Sequence, residues 1–258
     1  MTQIHPTAIV SPGAQIGEGV EIGPYCTIGE NVVIGDGTRL ISHVVIDGHT
    51  TLGKNCNIFP FACLGMQTQD LKYRGGTTYA IIGDNTTLRE CVTVNTGTRD
   101  GEATKIGNRC HIMAYCHISH GTVLGNEVIM SNTTQLAGET IVEDRAVISG
   151  LVGVHQFCRI GSLAMIGGGT AVSQDCPPYM ITTGSGSEAA VRGLNTVGLR
   201  RHNVPQETRS ALKQAYRLLY REGLNHSQAC ARIQSDLPDL PEIRHLLEFY
   251  ASSQRGVL

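Results

Sequence analysis

Two histidines stand three positions apart in the stretch YCHISHGTVLG, residues 115–125, whose other residues favour β-structure. Imidazole titrates near neutral pH, so His117 or His120 could serve as a general base that activates a hydroxyl group. A single surface histidine is more often simply solvated. The chain has no Gly-x-Ser-x-Gly elbow, P-loop or dinucleotide fingerprint, which disfavours a serine nucleophile and phosphoryl transfer. General-base chemistry is therefore the first hypothesis.

A six-residue repeat sets the elements that must position these histidines. From Ile4 to Val172 every sixth residue is aliphatic or Met, with three exceptions, and a small or β-branched residue follows four positions later. Two inward positions in six fit short strands joined by tight corners, coiled into a parallel β-helix with three repeats per turn. In this register Ile118 points inward and His120 lies at an outward corner.

Six of the nine cysteines occupy the small inward position, where a thiol behaves as a compact hydrophobe. The chain has no Cys-x-x-Cys pair, so we expect neither a thiolate metal site nor a disulfide framework. The six are Cys26, Cys56, Cys110, Cys116, Cys158 and Cys176.

Composition excludes several classes of protein. The formal charge of -2 argues against a nucleic-acid partner. The apolar fraction of 41% is that of an ordinary globular protein. No apolar run approaches the roughly 18 residues of a membrane span, and the first residues lack the features of a signal peptide. We therefore expect a cytoplasmic protein without a membrane span.

Two polar or glycine-rich insertions, residues 66–80 and 96–105, interrupt the repeat and are expected to leave the coil as functional loops. The hexapeptides stop after Pro178, and the glycine-rich run 184–193 is interpreted as a connecting turn. From Pro205 the apolar spacing becomes helical, and two shorter helices are expected around 229–233 and 241–250. These features predict a hexapeptide-repeat β-helix over residues 1–190 and a helical domain over 191–258.

Polar residues gather in the middle coils. Asn95 and His155 each follow an inward residue, where glycine is more usual, and Gln135 and Glu139 stand one coil beyond His117 and Gly121. A merely structural β-helix needs no such band, so the band favours an enzyme.

The chain resembles the bacterial acyl-carrier-protein:UDP-N-acetylglucosamine O-acyltransferase family, which begins lipid A synthesis. The resemblance covers nearly the full length and implies a left-handed β-helix, a homotrimer with active sites between subunits, and no cofactor. It rests on QDLKY (69–73), MAYCHISHG (113–121), LAG (136–138), VHQFCRIG (154–161), DCPPY (175–179) and GLRR (198–201).

The resemblance also implies a reaction and its residues. His120 would be the general base as the 3-hydroxyl of UDP-N-acetylglucosamine attacks a 3-hydroxyacyl thioester on acyl carrier protein, and the N–H of Gly138 would bind the oxyanion. The remaining expected substrate-binding residues are Asp70, Lys72, Asn95, His117, Glu139, His155 and Gln156 for sugar and acyl chain, Gly168 for the acyl groove, and Asn195 and Arg201 for the nucleotide.

The sequence departs from the family pattern near the base. Asn95 and Glu139 replace histidines found in many members, Gly121 replaces the usual Asp, and Val197 replaces a common Glu. A carboxylate at 139 leaves open a 3-amino sugar and an amide product.

Two further classes remain open. A γ-carbonic-anhydrase-like zinc enzyme could use His111, His117 and His120, although their spacing fits poorly. A related N-acyltransferase normally carries an additional N-terminal domain, whereas here the repeats begin at Ile4. On the first C-terminal helix, a basic stripe suits an acidic carrier protein and equally suits a solvated face; it consists of Lys213, Arg217 and Arg221.

Overall fold

The computed structural model describes residues 1–185 and 188–258. Short strands stack into three sheets of 11, 9 and 8 strands. Successive strands belong to successive sheets, so that every three hexapeptides complete one coil. The six-residue period therefore builds a parallel β-helix.

Within each sheet, strands that are neighbours in space come from successive coils. The first sheet contains β1 (Gln3–Ile4), β4 (Glu21–Ile22), β7 (Arg39–Leu40), β10 (Asn57–Ile58), β13 (Thr87–Leu88), β16 (His111–Ile112), β19 (Ile129–Met130), β22 (Val147–Ile148), β25 (Met165–Ile166), β27 (Met180–Thr183) and β28 (Ala190–Leu194). The second contains β2 (Ile9–Val10), β5 (Thr27–Ile28), β8 (Val45–Ile46), β11 (Cys63–Met66), β14 (Thr93–Asn95), β17 (His117–Ile118), β20 (Gln135–Leu136), β23 (Gly153–Val154) and β26 (Ala171–Val172). The third contains β3 (Gln15–Ile16), β6 (Val33–Ile34), β9 (His49–Leu52), β12 (Tyr79–Ile82), β15 (Ala103–Ile106), β18 (Val123–Leu124), β21 (Ile141–Val142) and β24 (Arg159–Ile160).

Parallel pairing joins equivalent residues of successive coils. Ile118 pairs with Leu136, and Leu136 pairs with Val154, so one coil takes 18 residues. The two insertions lengthen the coils that contain them, and Ile58 still pairs with Leu88. The register shifts only locally, between Leu64 and Met66 where the first insertion begins. Both predicted loops are present but shorter than expected: the first runs from 67 to 78, between β11 and β12, and the second from 96 to 102, between β14 and β15.

The inward residues form one continuous core along the coil. The aliphatic residues are buried from Ile22 onward, and the six inward cysteines are buried among them, as expected. Threonines take the same small inward position elsewhere, where the hydroxyl of Thr38 donates to the carbonyl of Gly53 (2.8 Å) and that of Thr134 to Ser149 (3.0 Å). A buried hydroxyl needs such a partner, and the neighbouring coil supplies it.

Four helices follow the coil: α1 (Thr196–Arg201), α2 (Gln206–Tyr220), α3 (His226–Asp236) and α4 (Pro241–Ala251). The three helices expected from the apolar spacing are confirmed as α2, α3 and α4, and they share a second core that includes Leu212, Ile233 and Leu246. Helix α1 was not foreseen. Within the described residues, no helix combines the length and apolar character needed to cross a membrane.

The interpretation of 184–193 as a connecting turn is wrong in its second half. Ala190–Leu194 forms β28, which pairs antiparallel with β27 because the last strand of the coil would otherwise expose its backbone edge. Residues 186 and 187 of this run lie outside the described residues. A domain division at residue 190 stays a prediction.

Candidate active site

His120 lies at the corner that follows β17, beneath the first loop. Its Nε2 atom is 3.7 Å from Oδ2 of Asp70, and the two side chains are only 17% and 22% exposed. Asp70 is fixed in the loop because its Oδ1 accepts a hydrogen bond from the N–H of Lys72 (2.9 Å) while its own N–H donates to Thr68 Oγ1 (3.1 Å). The loop thus brings a carboxylate to the base predicted from the sequence.

Gly138 stands directly against this imidazole, one coil further on. A Cβ atom at position 138 would lie within 3.0 Å of three ring atoms of His120. Glycine is therefore the residue that lets the ring of His120 rest on the backbone of the next coil. The predicted base and the predicted oxyanion donor are in contact.

The N–H of Gly138 is also left free. At several corners after the third sheet, the equivalent N–H group is capped by a side chain of the next coil, as Asn126 N–H donates to Asp144 Oδ1 (2.7 Å). Within the described part of the chain the N–H of Gly138 has no acceptor. Gln156, which holds the capping position one coil on, is exposed. An unused donor beside a base is what an oxyanion site requires.

His117 lies in β17, on the outer face of the second sheet. Its Nδ1 is 2.7 Å from the hydroxyl of Thr93, the residue paired with it in β14. Burial, and to a lesser degree the neighbouring His120, lower the pKa of His117, so its ring is neutral at pH 7. A neutral, tethered imidazole is better suited to orienting a substrate than to taking a proton.

Asn95 joins the first loop to the coil. Its side-chain amide donates to the carbonyl of Gln67 (3.0 Å), while its Oδ1 is buried without a partner among the described residues. The amide nitrogen is thus used to hold the loop, and only the oxygen remains available to a ligand.

Two carboxylates from different segments meet near His120. Glu139 lies at the corner after β20 and Glu102 in the second loop; each has a carboxylate oxygen, and His120 a ring nitrogen, within 4.8 Å of the others. Arg99 bridges the carboxylates, at 2.8 Å from Glu139 and 3.3 Å from Glu102. In the described ranges this is the one cluster of three or more side chains close enough to hold a metal ion.

The zinc site considered from the sequence does not form within the chain. His111 is in β16 of the first sheet, whereas His117 is in β17 of the second. His111 lines a separate surface pocket with Arg89 and Glu90. His111 therefore faces a different side of the coil from His117 and His120.

A groove of about 540 Å³ runs along the second sheet from His117 past Gln135 to His155. Its floor is low because Gly153 and Ala171 occupy outward positions there. Polar side chains at one end and small residues along the floor fit a ligand with a polar head and an apolar chain.

The side chains of the other predicted residues make no contact with His120 among the described residues. Lys72, Gln156 and Arg201 are exposed, and Gly168 lies at a corner outside the groove. Asn195 is buried: its Oδ1 caps α1 by accepting from Gly198 N–H (3.0 Å), and its Nδ2 donates to Leu163 O (2.8 Å). In one chain Asn195 is thus a helix cap.

Arg99, Glu102 and Thr93 were not foreseen as site residues. The polar composition of loop 96–105 marked the segment but not its contacts, and Thr93 occupies an ordinary strand position. Only the pairing of β14 with β17 places Thr93 beside His117.

Comparison with known proteins supports one family throughout the chain. Residues 175–258 match the family described as Udp N-acetylglucosamine O-acyltransferase, Domain 2; residues 103–138 match the bacterial transferase hexapeptide, and residues 4–98 the GMPPB C-terminal domain. Acyl-[acyl-carrier-protein]–UDP-N-acetylglucosamine O-acyltransferases of Thermodesulfovibrio yellowstonii and Verminephrobacter eiseniae are 51% and 47% identical. The matches cover 100% of this chain and 99% and 100% of theirs.

Solved structures agree with the sequence matches. A UDP-N-acetylglucosamine acyltransferase from Bacteroides fragilis superposes with a TM-score of 0.96 at 41% identity, covering 99% of this chain and 100% of that one. The Francisella novicida enzyme gives 0.95 at 37% identity, with 99% and 94% covered. The expected left-handed parallel β-helix with C-terminal helices is confirmed.

Proposed function

The chain belongs to the acyl-[acyl-carrier-protein]–UDP-N-acetylglucosamine O-acyltransferase family, and we propose that His120 and Gly138 carry out its reaction. It is an acyltransferase of lipid A biosynthesis that acts on acyl carrier protein thioesters and UDP-N-acetylglucosamine. The proposal covers the group that is transferred, the residues that catalyse the transfer and the oligomer in which they act.

In the proposed mechanism His120 removes the proton from the 3-hydroxyl of the glucosamine as that oxygen attacks the carbonyl carbon of a 3-hydroxyacyl thioester. The new C–O bond forms, the C–S bond breaks, and the departing carrier-protein thiolate takes the proton back from His120. Attack is direct, without an acyl-enzyme. Support comes from the position of His120 at a partly buried corner beside Asp70.

Gly138 acts on the same step. As the carbonyl carbon becomes tetrahedral, its oxygen gains negative charge, which a fixed N–H donor stabilises more than it stabilises the ground state. The uncapped N–H of Gly138 supports this role.

The acyl chain would lie along the groove of the second sheet, with His117 orienting the reacting end and His155 further along. Asp70 would hold the sugar. Lys72, Gln156 and Arg201 point outward in one chain, which is consistent with a homotrimer whose neighbouring subunit completes the sugar and nucleotide site. We propose Asn95, Glu139, Gly168 and Asn195 as further members of this site.

The observation that carries the proposal is the contact between His120 and Gly138. The test is mass spectrometry of products formed by the purified protein from UDP-N-acetylglucosamine, its 3-amino analogue and a series of 3-hydroxyacyl carrier proteins. An ester at the 3-position is expected. Lack of transfer to either sugar would overturn the proposal, and a faster amide product would identify the amino sugar as the substrate.

The two alternatives have less support. The relatives with 45% identity or more over the full chain are named O-acyltransferases, which does not favour amide formation. Zinc hydration chemistry, whose site would lie between subunits, is not favoured because the full-length relatives and solved structures are acyltransferases.

A further inference from the structure

Residue 121, directly after the proposed base, is a glycine with positive φ (+64°), and the side chain of another residue fills the space beside it. A Cβ atom at this position would lie 2.8 to 3.0 Å from the carboxylate atoms of Glu139. Glu139 comes from the next coil, where its N–H donates to the carbonyl of His120 (3.0 Å). The two departures from the family pattern, Gly121 and Glu139, are therefore in contact. The carboxylate beside the base comes from Glu139, one coil further on, instead of from residue 121.

Glu139 is held in place by charge. Arg99 Nη2 lies 2.8 Å from Glu139 Oε1 and 3.3 Å from Glu102 Oε1, so one guanidinium orients both carboxylates. Glu102 is further fixed because its Oε2 accepts from the N–H groups of Thr98 (2.5 Å) and Arg99 (3.0 Å). Burial would raise the pKa of Glu102, but these backbone donors outweigh it and hold the pKa below its ordinary value. The Glu102 carboxylate is therefore charged at neutral pH.

His120 needs such a partner. Its Nδ1 is buried and has no hydrogen-bond partner among the described residues, and a ring nitrogen of His120 lies within 4.8 Å of both carboxylates. A separation of this size is short enough for a single water molecule to bridge. When Nε2 takes the substrate's proton beside Asp70 and Gly138, the new imidazolium charge lies next to these carboxylates.

We infer that Glu139, assisted by Glu102 and held by Arg99, is the positioning residue that orients His120 and stabilises its protonated form during acyl transfer. This inference rests on the proposed function of His120. Asp70 and His117 also face the imidazole, Asp70 on the Nε2 side at 3.7 Å and His117 as a neutral ring. Removing the charge of Glu139 alone leaves both of these unchanged.

The chain offers a matched control. Glu127 also lies at a corner with positive φ (+58°, against +59° for Glu139) and is also bound by arginines, Arg109 at 2.8 Å and Arg145 at 3.2 Å. It lies after a strand of the third sheet, away from the site. A loss caused by breaking any corner ion pair would affect Glu127→Gln and Glu139→Gln alike.

The experiment measures kcat, KM for the UDP-sugar and the pH profile of kcat/KM for both variants. Glu139→Gln should lower kcat about tenfold and move the acid limb of the profile to lower pH by about one unit, since a nearby anion favours the protonated imidazole. Glu127→Gln should change neither. Glu139→Asp should recover part of kcat, and Gly121→Asp with Glu139→His should restore the acid limb because the carboxylate returns beside the base.

The outcomes separate this inference from the function itself. A wild-type protein that transfers no acyl group removes the proposed function. If the wild type is active and Glu139→Gln keeps the wild-type pH profile, the inference is wrong but the proposed function stands. The same holds if Glu139→Gln raises KM for the sugar and leaves kcat unchanged, because Glu139 would then be a sugar ligand. A third outcome would instead make the cluster a metal site. In that case micromolar Zn²⁺ inhibits the wild type but not Glu139→Gln, and the two proteins have the same pH profile when no metal is added.

Discussion

The imidazole of His120 fills the space that a side chain on residue 138 would occupy, with three ring atoms within 3.0 Å of the Cβ position. Gly138→Ala must therefore push the proposed base aside. We expect kcat to fall by about 100-fold or more, because general-base catalysis depends on the position of the ring. Gly193→Ala is the control, since nothing lies within 4 Å of its Cβ position. Equal activity of the two variants would show that His120 does not act from this position.

Removal of the base itself is the second test. His120→Ala should lose on the order of 100-fold in kcat, whereas His117→Ala should lose less because His117 orients rather than accepts the proton. His120 is outside the core, so circular dichroism and assembly size should be unchanged. Activity of His120→Ala within a few-fold of wild type would remove it from the mechanism.

The repeating part of the fold was predictable because its signal recurs: each inward position such as Ile118 or Leu136 repeats the same steric demand in every coil. The loop contacts were not, since nothing in the spacing of Asp70 places it 3.7 Å from His120. A residue expected to bind substrate can also have a structural role. Asn195, expected at the nucleotide, caps α1 with both ends of its amide engaged.

The third prediction concerns pH and the attachment of the helices. His245 of α4 bridges Glu143 of the coil (2.9 Å) and the hydroxyl of Tyr179 (2.8 Å). Burial would raise the pKa of Glu143, but the hydrogen bonds from His245 and Ser162 more than compensate and leave it lowered. A lowered carboxyl pKa contributes stability that is present above its unfolded value and lost as the pH falls through the folded value.

Glu143→Gln should therefore reduce the free energy of unfolding by about 1–3 kcal/mol at pH 7. The difference from wild type should shrink below about pH 4.5, where the wild-type carboxylate begins to protonate. Urea unfolding at both pH values measures it, with Glu90→Gln, an exposed pair with Arg89, as the control. A difference of the same size at pH 7 and at pH 3 would assign the loss to packing rather than to charge.

The fourth prediction tests docking of the acidic carrier protein on α2. Lys213 and Arg217 are exposed, whereas Arg221 is partly engaged because its Nε donates to the hydroxyl of Tyr216 (2.9 Å). Lys213→Glu with Arg217→Glu should raise KM for acyl carrier protein, more strongly at low salt, and leave KM for the UDP-sugar unchanged.

The control for α2 changes the same amount of charge on the N-terminal coils, with Arg39→Glu and Lys54→Glu. Both cations are exposed, at 53% and 61%. If the two double variants raise KM for acyl carrier protein equally, net charge rather than a docking surface is responsible.

The last prediction concerns acyl-chain length and Gly168, in the run of three glycines 167–169. The positive φ of this turn belongs to Gly169 (+69°), and a Cβ at Gly168 would meet only Gly150 O at 3.5 Å and Ser149 Cβ at 4.0 Å. The equivalent corners of earlier coils carry Tyr115, Thr133 and Leu151 at similar positive φ, so neither position requires glycine for its backbone. A larger side chain at position 168 should fold normally and, in the proposed trimer, enter the acyl groove.

Gly168→Met should therefore shift the preferred 3-hydroxyacyl chain to one several carbons shorter, because each methylene excluded from the groove forfeits up to about 0.8 kcal/mol of burial. Gly169→Met is the matched control: Leu151 occupies the equivalent corner one coil earlier at similar φ (+61°), so the variant should fold and show no shift in preferred length. Both variants are assayed across a series of hydroxyacyl carrier proteins of increasing chain length. An unchanged optimum in folded, active Gly168→Met would place the determinant of chain length elsewhere in the groove, since the added side chain would then not reach the bound acyl chain.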